Sequence, residues 1–158
     1  MPNAALKSIA VLLPLVFSPV LSVLALEANF PGLSLEPGFA PTPAVVSGRT
    51  GGSTSLPAIV GATDSQKKTC LGFGSPNPDH ILVLEKDFPR LKIQVSSGAD
   101  TTLAIIGPNS NTVRCGDDTG SSLDASVEDV SWKAGTYKIW IGVMQAGLQR
   151  NYTLSVSE

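Results

Sequence analysis

The sequence predicts an all-β protein, an antiparallel β-sandwich of jelly-roll type, and three observations carry that prediction. From Thr69 onward apolar and polar residues alternate with a period of two, turn-forming residues recur at short intervals, and no segment keeps helical spacing. Leu91, Ile93 and Val95 share one strand face, and Lys92 and Gln94 share the other. Tyr137, Ile139 and Ile141 likewise oppose Lys138, Trp140 and Gly142, while Tyr152, Leu154 and Val156 oppose Thr153 and Ser155. Half-buried strands produce this pattern because successive side chains point to opposite sides of a sheet.

Strands are expected over 81–86, 90–96, 101–106, 112–115, 127–132, 136–143 and 152–157, giving about seven or eight in all. Turns fall at Pro76-Asn77-Pro78, Asp87-Phe88-Pro89, Ser97-Gly98, Gly107-Pro108-Asn109, Lys133-Ala134-Gly135 and Gln145-Ala146-Gly147. Proline presets the backbone for such reversals, and glycine frees it.

Residues 1–25 read as a signal peptide. Lys7 is the only charge before Glu27, an apolar run follows it, and Val23-Leu24-Ala25 offers a cleavage site after Ala25, with Ala28 as second choice. Pro14 and Pro19 interrupt a run already marginal for a retained membrane span. Residues 26–57 hold Pro31, Pro37, Pro41, Pro43 and Pro57 among several glycines. That punctuation leaves no room for a helix or long strand, so a Pro/Gly-rich linker or an extended arm is expected, with 44–47 available as an edge strand. The sandwich domain is drawn over 58–158.

Cleavage removes Lys7 and no carboxylate, so the 11 basic and 13 acidic residues become 10 and 13, a formal charge of −3. No clustered basic face exists, which excludes nucleic acid as an expected partner. A secreted or periplasmic location follows from the leader, and in such a compartment Cys70 and Cys115 are expected to form a disulfide. Two sulfurs and the single histidine, His80, make a poor zinc set. His80 is also the only histidine a catalytic triad would have, and no Gly-x-Ser-x-Gly elbow is present, so no enzyme activity is expected.

Four pieces occur in a telling order: Asp100 ahead of a strand, Asp117-Asp118 with Gly120 after the next, Ala134-Gly135-Thr136-Tyr137, and the closing Tyr152-Thr153-Leu154. Over about residues 64–157 the chain resembles the bacterial pre-peptidase C-terminal domain, a small β-sandwich module. The resemblance implies a secreted module of the kind found beside protease domains and in other exported proteins. The Cys70/Cys115 pair is not a general feature of that family.

Related sandwich domains of secreted collagenases bind calcium, so the resemblance directs attention to the carboxylates. Asp117, Asp118 and Asp124 lie on one acidic turn, followed by Glu128 and Asp129, and Asp100 and Asn109 would approach from neighbouring loops. Calcium takes about six to eight oxygens from carboxylates and tight-turn carbonyls, which suits this set. An EF-hand is excluded because Thr119 and Ser122 stand where an acid and a glycine belong. The same side chains equally suit turn capping through Asx hydrogen bonds.

Trp140, Trp132 and Tyr137 are the expected ligand contacts. Trp140 alternates out of phase with Tyr137, Ile139 and Ile141, so it faces away from their layer. Exposed there, it would stack on sugar rings or collagen-like peptide; covered by a loop or by residues 26–57, it would not. The expected function is that of a secreted, non-catalytic binding module for an extracellular polymer or an exported protein, with calcium at the acidic turn. The alternatives are an assembly accessory docking through residues 26–57, and a small hydrolase using His80.

Overall fold

The computed structural model of the chain describes residues 27–39 and 42–158. The expected leader, 1–25, lies outside them. The elements are β1 (Leu33–Leu35), β2 (Ala44–Arg49), β3 (Thr54–Ser55), α1 (Leu56–Val60), β4 (Phe73–Gly74), β5 (His80–Leu84) and β6 (Phe88–Ser96), followed by β7 (Thr101–Ile106), β8 (Val113–Gly116), β9 (Asp118–Thr119), β10 (Ser122–Trp132), β11 (Gly135–Val143) and β12 (Asn151–Ser157). No helix among the described residues is long and apolar enough to cross a membrane.

Two sheets face each other. The first runs β1, β5, β11, β7, β8, with β4 and β3 continuing beside the Val143 end of β11; the second runs β2, β12, β6, β10, β9. Every pairing is antiparallel except that of β1 with β5. The fold is thus an all-β sandwich, and β5 to β8 and β10 to β12 occupy the expected stretches of sequence.

Residues 26–57 do more than link. They supply β1, β2 and β3, so the line drawn at residue 58 runs through the sheets rather than beside them. The prolines cluster at 31, 37, 41 and 43, which leaves 44–49 with every amide free to pair along β12 as an edge strand. The helix α1 starts with Pro57 in its first turn, where a missing amide hydrogen costs nothing.

The main core lies between the sheets and includes Leu82, Leu91, Ile93, Leu103, Ile105, Tyr137, Ile139, Ile141, Leu154 and Val156. These are the inward members of the alternating strands. A second cluster of Leu56, Val60, Cys70, Ala104, Cys115 and Trp140 sits on the outer face of the first sheet. Gly142 makes this layer possible, since a Cβ there would come within 2.7 Å of the Leu56 side chain. The Cys70–Cys115 disulfide fastens the loop after α1 to β8, with the Cα atoms 5.3 Å apart.

Candidate functional site

The expected aromatic platform is not a surface. Trp140 does face away from the Tyr137, Ile139 and Ile141 layer, but α1 and the disulfide cover it and leave it 3% exposed. Trp132 and Tyr137 are wholly buried. The Trp132 indole donates to the carbonyl of Asp129 at 3.0 Å, and the guanidinium of Arg114 lies 4.1 Å over its ring. The Tyr137 hydroxyl donates to the Lys133 carbonyl at 2.7 Å and accepts from the Lys133 amide at 3.1 Å. Trp132 and Tyr137 are fixed core members, so their designation as ligand contacts is corrected, whereas Trp140 offers no open aromatic plane and meets solvent only at the floor of a cleft on that outer face.

His80 is likewise a structural residue. It is 1% exposed, with Nδ1 2.6 Å from the Pro31 carbonyl and Nε2 2.8 Å from the Tyr152 hydroxyl. Both nitrogens are engaged away from solvent, and the hydrolase alternative loses its base. The docking alternative also loses its free segment. Phe30 packs against His80 and Tyr152, the Asn29 and Phe30 amides donate to the carbonyls of Pro78 and Asp79, and β2 is part of a sheet.

The acidic residues divide into two groups. Asp100, Asp117 and Asp118 bring carboxylate oxygens within 4.8 Å of one another. Antiparallel pairing of β7 with β8 sets Leu103 against Gly116, which places Asp100, just before β7, beside the residues that follow β8. Burial, reinforced by the neighbouring charges of Asp118 and Asp100, raises the Asp117 pKa. Asp124 and Asn109 do not join them. One oxygen of Asp124 accepts from the Ser97 amide at 2.8 Å, the Ser97 hydroxyl at 2.9 Å and the Gly98 amide at 3.2 Å. Asn109 lies at the opposite end of the β7–β8 hairpin, where its Oδ1 accepts from the Asn111 amide and the Thr112 hydroxyl. Asn109 caps its own turn, as Asx side chains do, whereas Asp124 reaches across from β10 to hold the Ser97–Gly98 turn. Glu128 and Asp129 pair with Arg90 and Arg114.

Proximity in sequence had grouped Asp124 with the turn, whereas strand pairing selects its members. The sequence reading also passed over Asp64. Buried at 8% exposure, its carboxylate accepts the amides of Gln66 and Lys68 at 2.8 Å and that of Cys115 at 3.3 Å, binding the loop before Cys70 to β8.

A cleft of about 890 Å³ opens on the outer face of the first sheet. Its floor is β11, where Thr136, Lys138 and Trp140 share one face, with Ile106 of β7 alongside. Its walls are Ile59 of α1, the Pro76–Pro78 loop leading into β5, and the 107–110 loop leaving β7. Lys138 is half-buried and has no ion-pair partner among the described residues. Glu27 stands exposed at the edge. The volume falls within the usual range for small-ligand or side-chain pockets, roughly 300–1,000 Å³. Alternation had already put Lys138 and Trp140 on one face, yet only the tertiary fold supplies the walls.

The chain is similar to a pre-peptidase C-terminal domain. That domain belongs to a collagenase of Bacillus anthracis and aligns at 12% identity and a TM-score of 0.45, over 83% of this chain and 98% of its own. A periplasmic inhibitor of g-type lysozyme from Aeromonas hydrophila aligns at 14% identity and a TM-score of 0.44, over 82% of this chain and 98% of its own. No family model and no curated protein matches the chain. Similarity at this level assigns no function.

Proposed function

We propose that the chain is a secreted, non-catalytic binding module that engages an extracellular polymer or another exported protein through the cleft over β11. The cleft itself is the observation that supports this reading: a concavity of mixed apolar and polar lining whose floor carries Lys138, without an ion-pair partner among the described residues, beside a disulfide-fastened layer. The disulfide supports an oxidising compartment. The test is a titration of the isotopically labelled mature chain with extracellular polysaccharides and with exported polypeptides, read by NMR. Shifts centred on Ile59, Ile106 and Lys138, and lost in Ile59→Asp, are expected. Binding elsewhere, or none across the panel, would overturn it.

We also propose that calcium organises the loop after β8 through Asp100, Asp117 and Asp118. Three carboxylates from two loops are a hard-oxygen set, and a divalent cation would relieve the mutual repulsion that contributes to raising the Asp117 pKa. Binding to the native state must raise its stability by mass action. Thermal unfolding in EDTA and then in millimolar calcium should show a rise in Tm that Asp117→Asn/Asp118→Asn abolishes. An equal Tm in both buffers would sink the idea.

A further inference from the structure

Resting on the reading that the cleft is the binding site, we infer that its ligand is an extended segment of a partner polypeptide that carries apolar side chains and a carboxylate set against Lys138. Aliphatic groups line both sides, Ile59 and Pro76 and Pro78 in one direction and Pro108 in the other, with Ile106 beside the floor. Sugar recognition on a sheet face works through an open aromatic plane, and Trp140, at 3% exposure, does not offer one. Ridged aliphatic walls instead accept the side chains of a peptide, and the exposed Asn77 and Ser110 on the rim can serve its backbone.

Charge completes the assignment. Lys138 lines the half-buried floor without an ion-pair partner among the described residues, and the four ion pairs of those residues all lie elsewhere. A cation so placed is complementary to an anion and sets the register of what docks beside it. An acidic side chain and a free chain terminus supply the same carboxylate.

The experiment uses the oxidised mature chain and three fluorescent pools of random heptapeptides, read by anisotropy. One pool has blocked ends and a central glutamate, one has blocked ends and a central glutamine, and one has a central glutamine with a free terminal carboxylate. At least one carboxylate pool should bind about tenfold tighter than the neutral pool. Which of the two does so identifies the source of the carboxylate. Lys138→Gln should erase that difference without lowering Tm, and Ile59→Asp should remove binding by every pool. Equal binding by all three pools, or a preference that survives Lys138→Gln, overturns the inference. An array of extracellular glycans, run with wild type and Ile59→Asp, separates this inference from the reading beneath it. Glycan binding that Ile59→Asp abolishes, with all peptide pools silent, rejects the polypeptide and keeps the cleft. Silence on both rejects both.

Discussion

Tyr152 and His80 share a buried hydrogen bond, hydroxyl to Nε2 at 2.8 Å, and its direction follows from their neighbours. The Pro31 carbonyl can only accept, so the proton of the ring lies on Nδ1, 2.6 Å away. Burial lowers the His80 pKa and keeps the ring neutral, which makes Nε2 the acceptor and Tyr152 the donor. Burial also raises the Tyr152 pKa, so the hydroxyl holds its proton. Three distant parts of the chain, at 31, 80 and 152, are joined by this one relay.

Tyr152→Phe strands Nε2 in the core without a donor. An unsatisfied buried acceptor costs about 1–3 kcal/mol, and urea unfolding should register a loss of that size. A loss below about 0.5 kcal/mol would mean that the bond contributes little.

Asp79 should make stability depend on pH. Its carboxylate accepts from the Ile141 amide at 2.8 Å and the Asn29 side chain at 3.1 Å, yet burial outweighs both and pushes its pKa up from 3.8 to about 6. The folded state therefore holds this proton more tightly than the unfolded chain. Its contribution is fully present below pH 3.8 and is lost as pH rises through about 6. His80 acts in the opposite sense, because its lowered pKa costs stability as pH falls below 6.5. Subtracting an Asp79→Asn series removes that opposing part. The difference between wild type and variant should move by about 1 kcal/mol in favour of wild type from pH 8 to pH 5. Parallel profiles would show that Asp79 titrates normally.

Gly48→Ala tests whether β2 is part of the sandwich. A Cβ there would overlap the Tyr152 hydroxyl and ring and come within 2.9 Å of Phe30. Overpacking of this kind costs about 1–3 kcal/mol, and a fall in Tm of several degrees is expected. A control at Gly51, whose Cβ would meet nothing closer than 3.7 Å, should be far milder. Equal effects at the two positions would place β2 outside the cooperative fold.

Removing the disulfide by Cys70→Ala/Cys115→Ala releases a loop with a sequence separation of 45. The chain-entropy model gives a loss of about 4 kcal/mol, measurable by denaturant unfolding. The outer layer over Trp140 should loosen first, since Cys70 and Cys115 belong to it. Amide exchange in α1 should accelerate through local opening, beyond the acceleration that the global loss imposes on the core amides of β6.

Much of the sandwich was legible because burial on one face imprints period-two alternation, as in Leu91, Ile93 and Val95. The short elements β1, β3, β4 and β9 were not read as strands, and of the six-residue β2 only the edge pairing over 44–47 was expected. Segments of two or three residues carry no periodicity, and β2 lies among prolines. The acidic cluster was half legible. Asp117 and Asp118 adjoin in the chain, but Asp100 reaches them only through the β7–β8 pairing, and Asp124 was claimed by Ser97 and Gly98.

What the sequence determined by itself was the class of fold, the positions of its seven longer strands outside β2, the cysteine pair and the facing of Trp140 away from the inter-sheet core. Each is a local property, written in alternation, turn chemistry or composition. What covers Trp140, which carboxylates meet, and where a cleft opens were decided by the tertiary structure alone. These depend on residues far apart in the chain: Leu56 settling over Gly142, Asp100 against Asp117, Ile59 and Pro108 on either side of Lys138. Burial and proximity are properties of the whole arrangement, and a side chain's neighbours across sheets leave no mark in its own stretch of sequence.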